Sequence, residues 1–223
     1  MGILSEKSPK KFKEESRMRN LKRALSLALA SVMVMGLMVV GSGASYVDVS
    51  SEQNQEAIEV LQEVGVMTGD ENGNFNPDAL VTRNEMAVVM SNLMDYRVAN
   101  YKGTSPFTDV PSWAEPYVAA CYTNGIIAGY DAKTFGGSDS VTTGQAALML
   151  MKALGYFQFQ SDFENDWQFS TIKQANKIDL YKDVNATAVA PMTRNDVAQL
   201  ALNTLKSYQV EADNDTINVN GNG

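Results

Sequence analysis

Histidine is missing from this 223-residue chain, and cysteine occurs once, at Cys121. A Cys/His zinc site, an intrachain disulfide and a Ser-His or Cys-His catalytic pair are therefore excluded. Cys121 lies in the apolar run Val118-Ala119-Ala120-Cys121 and reads as a small buried hydrophobe, not a reactive thiol. Cations are scarce as well. Eight of the 18 lysines and arginines, but three of the 26 aspartates and glutamates, precede Ser45; beyond it ten positive charges face 23 negative ones, a net −13 against −8 for the whole chain. Such a surface opposes nucleic acid and anionic lipid, whose binding needs clustered Lys and Arg. Any polyanion has to be held by a few local cations, and only three arginines follow Ser45. A hydrolase would need a carboxylate pair in one cleft; the acids here are many and scattered, so the chain reads as a non-enzyme with no cofactor. Asp70-Glu71-Asn72-Gly73 resembles a calcium loop only superficially. Its glycine comes too early for an EF-hand and no bidentate glutamate follows in register, so it reads as a turn and no metal site is expected.

The first 44 residues differ chemically from the rest. Lys22-Arg23 precede an apolar stretch from Ala24 to Val40, and Gly41-Ser42-Gly43-Ala44-Ser45 follows. A basic start, an apolar middle and small residues at Ser42 and Ala44 describe a secretory signal peptide over residues 1–44. The stretch approaches spanning length, so a retained membrane anchor is the competing reading. Met18 would begin a more ordinary signal than Met1 does. Either way the chain is expected outside the cytoplasm.

What the remainder has is repetition. Val81-Thr82-Arg83-Asn84-Glu85-Met86-Ala87, Val141-Thr142-Thr143-Gly144-Gln145-Ala146-Ala147 and Met192-Thr193-Arg194-Asn195-Asp196-Val197-Ala198 are versions of one segment. Gly65 to Gly125, Gly69 to Gly129, Phe75 to Phe135 and Thr82 to Thr142 are all 60 residues apart, a shared offset that signals duplication. Unit one covers 45–98 and unit two 106–156. A shorter third unit at 162–208 begins with Phe163 and Trp167, has its first helix over Ile172 to Ile178, and has lost much of the glycine turn and the Phe-x-Pro segment. Asp166 aligns only loosely with the Asp48 and Asp109 position. Residues 209–223 are low in hydrophobicity and read as a disordered tail or linker.

Each unit reads as helix, loop, helix, so the fold class is all-α. Met86, Met90 and Met94, then Ala146, Leu150 and Leu154, then Val197, Ala201 and Leu205 each step by four along one helical face. Ala87, Ala147 and Ala198 share a neighbouring position, where a small residue suggests close approach of helices about a common axis. Units of about 50 residues seldom bury enough surface to stand alone, so the three should pack together.

Thr82-x-x-Glu85, Thr142-x-x-Gln145 and Thr193-x-x-Asp196 fit the capping box, in which the hydroxyl accepts from N3 and the N3 side chain reaches back. That role needs no ligand. Arg83 and Arg194 at N1 are different, because a cation beside the positive end of the helix dipole is mildly unfavourable. Free N–H groups with an arginine fork suit a carboxylate or phosphate; a salt bridge to an acid of a neighbouring unit explains the arginines equally well. Asp48 and Asp109 read first as capping or turn residues. Trp113 reads either as core or as an indole for stacking on a sugar ring.

Taken together, aromatic-x-Asp-Val, Trp-Ala, Gly-Ile/Val-x-x-Gly, Gly-x-Phe-x-Pro and Val-Thr-Arg-x-Glu-x-Ala resemble the S-layer homology repeat over residues 46 to about 206, specifically in units one and two and more weakly in unit three. The resemblance implies three helix-loop-helix repeats packed as a pseudo-threefold trimer around a central three-helix bundle, with ligand grooves between repeats. It also implies non-covalent attachment of an exported protein to a secondary cell-wall polymer of a Gram-positive-type bacterium. The ligand in that family is often a terminal pyruvylated amino sugar, whose carboxylate the motif arginine can hold. The alternative is a self-assembling S-layer or scaffold component acting through protein contacts. By position, Arg83 and Arg194 match the motif arginine, Asp109 and Trp113 its acid and aromatic, Asp48 the acid alone, and Gly69 and Gly129 the glycine at the groove edge. Thr143 replaces the arginine in unit two, Gln53 or a neighbour stands where unit one would have Trp, and unit three lacks the glycine turn. The expectation is one good groove, pairing Arg83 with the Asp109/Trp113 end of the next unit, and one or two impaired ones.

Overall fold

The computed structural model describes residues 46–164, 166–184 and 187–210; the expected signal segment and nearly all of the tail lie outside them. Among the described residues the fold is all-α, with six α-helices and no strand: α1 Gln55–Glu63, α2 Arg83–Leu93, α3 Glu115–Thr123, α4 Thr143–Leu154, α5 Trp167–Lys177 and α6 Arg194–Lys206. A 3-10 turn, Val98–Tyr101, occupies the stretch between the first two units. No described helix is long and apolar enough to cross a membrane.

The expected caps fix the starts of the second helices. Thr82 Oγ1 accepts from the Glu85 amide while Glu85 Oε2 accepts from the Thr82 amide at 2.7 Å, and Thr142 with Gln145 repeats the exchange at 3.3 and 3.1 Å. At α6 the Thr193 hydroxyl accepts from the Asp196 amide at 3.2 Å, and Asp196 Oδ2 accepts from that hydroxyl at 3.0 Å.

The first helices end alike. Gly65 (φ 71°) and Gly125 (φ 73°) turn left-handed, and the next amide closes back on the helix, Val66 to Leu61 at 2.8 Å and Ile126 to Cys121 at 2.9 Å. Unit three was expected to lack this turn, yet Leu180 closes on Ala175 at 2.9 Å with Asp179 in the left-handed position (φ 53°). Aspartate tolerates that conformation better than most residues, which is how the turn persists without glycine. Helix α5 begins at Trp167, five residues before the expected start at Ile172, because Asp166 Oδ1 accepts from the Gln168 and Phe169 amides and caps it.

Backbone hydrogen bonds join the three segments in a closed ring. The amide of Val81 donates to Met192, that of Val141 to Val81 and that of Met192 to Val141, at 3.0, 2.8 and 3.0 Å. The first two amides of each second helix then donate to carbonyls of a neighbouring segment: Arg83 and Asn84 to Asp139 and Gly137, Thr143 and Gly144 to Ala190 and Ala188, Arg194 and Asn195 to Ala79 and Pro77. Helices follow the same cycle. α1 packs on α6, α3 on α2 and α5 on α4, while α4 touches both α2 and α6. The residues stepping by four on α2, α4 and α6 are buried, as are Ala87, Ala147 and Ala198, and they belong to one continuous core with Phe75 and Phe135. Each first helix thus covers the second helix of another unit, which is how segments too small for separate cores become stable.

Candidate functional site

Arg83 and Arg194 do not stand outward from their helices. Arg83 is 4 % exposed; its Nε donates to the Phe135 carbonyl at 3.1 Å and its Nη2 to the Ala128 carbonyl at 2.9 Å. Arg194 repeats both bonds one junction away, to Phe75 at 2.7 Å and Thr68 at 2.8 Å. Each guanidinium also lies over an aromatic ring, Phe135 at 4.6 Å or Phe75 at 4.6 Å, and Arg83 has Tyr130 on it at 4.7 Å. Neither the anion site at free helix N–H groups nor the salt bridge expected from sequence is what forms. The N1 and N2 amides are taken by the neighbouring loop, and the arginine staples that loop through its carbonyls. Burial pushes both guanidinium pKa values down, and nearby carboxylates push back: Asp139 and Asp109 on Arg83, and Glu85, Asp48 and Asp70 on Arg194. Both remain charged, as arginine does throughout the accessible pH range.

The two candidate aspartates brace the same loops from behind. Asp109 accepts from the Phe135 and Gly136 amides, both at 2.8 Å, and Asp48 from the Phe75 and Asn76 amides at 2.8 and 2.6 Å. A single Phe residue therefore has its amide held by the unit's own aspartate and its carbonyl held by an arginine from another segment. Desolvation opposes ionisation of Asp109, but the Phe135 and Gly136 amides hold its carboxyl below the usual range. Gly69 and Gly129 seat the unit-opening aromatics: a Cβ on either would run into Tyr46 or Phe107 and come within 2.6 Å of a backbone carbonyl oxygen, Asn74 or Thr134. The Asp70 carboxylate accepts from Asn72 and Asn74 amides at 2.9 and 3.0 Å, making the turn expected there.

A groove of about 400 Å³ opens beside Arg83. Its walls are the 126–130 turn with Gly129 and Tyr130, the α4 side chains Gln145, Met149 and Lys152, and Trp167 from the start of α5. Here the structure corrects the expected pairing. Trp113 does not line this groove; it precedes α3, which packs on α2, and is 55 % exposed. Because α5 covers α4, Trp167 takes that place. The missed residues were legible only with the helix pairing in hand: Trp167 stood out as the start of unit three, but nothing in its spacing says which groove it closes. At the third junction Thr143 is buried and offers its hydroxyl to Ala190 at 3.4 Å in place of a guanidinium.

Cys121 is fully buried, as its apolar run implied; its Sγ lies 3.2 Å from Ser91 Oγ, and burial pushes the thiol pKa up to about 12. Among the described residues no group of acids, cysteines or histidines is placed to hold a metal.

Two stretches of these repeated helix-loop-helix units, residues 45–87 and 106–147, match the model of the S-layer homology domain. Among individual proteins, the chain is similar to the "Surface-layer 125 kDa protein" of Lysinibacillus sphaericus, 29 % identical over 210 residues, covering 86 % of this chain and 18 % of that protein. It is similar also to the "Middle cell wall protein" of Brevibacillus brevis, 26 % identical over 190 residues, covering 83 % of this chain and 17 % of the relative. A Bacillus "Endoglucanase" shares 29 % identity over 110 residues, 47 % of this chain and 12 % of that enzyme. The chain spans less than a fifth of the length of each of these relatives. The matched domain and the surface-layer relatives indicate an exported protein of the cell surface or cell wall of a Gram-positive-type bacterium.

Proposed function

We propose that this chain is a non-catalytic anchoring module, built from two S-layer homology units and a degenerate third around a pseudo-threefold axis, that holds an exported protein to an anionic secondary cell-wall polysaccharide. The observation that carries the reading is the Arg83 groove. A guanidinium with two of its five N–H donors committed to carbonyls stands beside an indole, Trp167, and an exposed phenol, Tyr130. Indole and phenol faces stack on sugar rings, and a cation fixed among them selects a sugar bearing a carboxylate, such as a pyruvylated one. Relatives named as surface-layer and cell-wall proteins support the anchoring role. The same module in proteins named as glucanases fits an anchor carried beside a separate catalytic part.

Cosedimentation with cell walls tests the reading. The protein is expected to pellet with intact walls and to stay in solution with walls stripped of the non-peptidoglycan polymer. Equal pelleting with both would reject it.

A further inference from the structure

Two junctions carry the same arginine staple, yet their charged surroundings differ: three exchanges make the Arg83 junction the more cationic, and one, Ala79 to Asp139, runs the other way. The 60-residue offset pairs Asp70 with Tyr130, Glu85 with Gln145 and Asn92 with Lys152. Of the first set, Asp70 and Glu85 act on the Arg194 guanidinium, while Asn92 Nδ2 donates to the Val66 carbonyl at 3.3 Å. The second set surrounds Arg83, where Tyr130, Gln145 and Lys152 line the groove. These three side chains bring two negative charges to the Arg194 junction and one positive charge to the Arg83 junction. The acids that do reach Arg83 are engaged elsewhere, Asp109 by the Phe135 and Gly136 amides and Asp139 by the Tyr130 hydroxyl at 2.9 Å.

We infer that, among the described residues, the Arg83 groove is the anion-selective site and that Gln145 is its specificity-determining residue, with Lys152 as the second cation. The inference rests on the anchoring function proposed above and assigns that function to one junction. Gln145 serves as the N3 member of a capping box, a position where Glu85 does the same work at α2, while at α6 Asp196 instead accepts from the Thr193 hydroxyl. A carboxylate there is the better partner for the helix N-terminus, since it adds a favourable charge-dipole term. An amide is therefore the weaker choice for stability, while it removes a negative charge from the floor of the groove. Lys152 occupies a position where the other segments have Asn92 and Asn203, both of which donate to carbonyls of their own turns.

The two roles of position 145 predict opposite signs for one substitution. Gln145→Glu should leave the thermal midpoint unchanged or higher, because Thr82 and Glu85 already form that box at 2.7 Å. The same change should weaken binding by about tenfold or more, since a like charge is placed beside the bound carboxylate at a partly buried site. The probe is purified secondary cell-wall polymer from Lysinibacillus sphaericus, titrated calorimetrically into the full chain, with the same polymer after reduction of its carboxylates as the control. Glu85→Gln, its counterpart in the Arg194 junction, should change affinity less than twofold, a difference within the noise of a remote charge change. Lys152→Asn provides the second variant and should weaken binding in the same direction. If the wild-type chain binds the polymer and Gln145→Glu binds it equally well, the assignment to this groove is overturned while the anchoring function stands. If wild type binds native and carboxyl-reduced polymer alike, anion selectivity itself is overturned. If wild type binds neither, the anchoring function fails and the inference goes with it.

Discussion

The Arg83 and Arg194 junctions are close to superimposable in chemistry, and the Thr143 junction is not. Both arginines donate to the carbonyl of a buried phenylalanine and to a second carbonyl in the preceding glycine turn, with distances between 2.7 and 3.1 Å. Thr143 keeps only a hydroxyl contact to the shortened loop of the third segment. The difference separates what the ring needs from what a ligand needs. The ring closes at all three junctions through backbone bonds, so the arginine is not required for closure. Where a full-length loop exists, however, the guanidinium ties it down, and that tie is present whether or not the groove beside it is electrically suited to an anion. Structure explains why the arginine recurs twice; under the proposed anchoring function, the groove's other side chains decide which recurrence binds.

Removing the staples gives the largest effect and breaks the comparison most directly. Arg83→Ala leaves the Phe135 and Ala128 carbonyls without their donor in a buried setting and should cost about 3 kcal/mol, combining lost hydrogen bonds with the lost contact over two rings. Arg194→Ala should cost about half as much, because Arg194 is only partly buried and covers one ring. Chemical denaturation reads both. Unchanged stability in Arg83→Ala would mean the side chain serves a ligand alone, contrary to its contacts.

The bracing aspartates come next. Asp109→Asn weakens two amide contacts at an exposed carboxylate and should cost about 1 kcal/mol at neutral pH, an amount already discounted for solvent screening. The sign with pH follows from the lowered folded-state pKa. The Asp109 contribution is fully present above its ordinary value of 3.8 and is lost as pH falls through the lower folded value. Thermal midpoints measured from pH 6 downward should therefore fall more steeply below about pH 4 in wild type than in Asp109→Asn. Asp70, Asp131 and Glu164 are lowered in the same sense and keep the variant from becoming flat: backbone amide bonds lead for the two aspartates, the Lys173 ammonium for Glu164.

Much of this was legible in the chain, for identifiable reasons. Helix starts follow from Thr-x-x-Glu/Gln, a local code, and the core face follows from residues stepping by four. Both need only near neighbours in sequence. The fate of the arginines was not legible, because the carbonyls they hold lie 45 to 126 residues away and any loop could have presented carboxylates instead. The Trp113 pairing failed for the same reason: which helix covers which is a property of the closed ring, and periodicity along one helix does not carry it. The left-handed turn at Asp179 carries no glycine to signal it, because the backbone requires only a residue that tolerates positive φ.

That last point yields the smallest and cleanest test of whether the third segment is a true counterpart of the other two. Asp179 holds a left-handed φ of 53° where Gly65 and Gly125 hold 71° and 73°. If the three turns are equivalent, Asp179→Gly should relieve the Cβ strain and raise stability by about 0.5 kcal/mol, the modest gain left after glycine's larger unfolded-state entropy is subtracted. The reverse change, Gly125→Asp, should lower stability by a similar amount, since the Cβ at that position meets nothing within 4 Å and only the backbone conformation opposes it. Matching magnitudes of opposite sign, read from denaturant midpoints at constant slope, would make the three turns interchangeable. A loss of stability in Asp179→Gly would show instead that the aspartate side chain holds the third turn in its own way, and that the segment's resemblance to the first two ends at its helices.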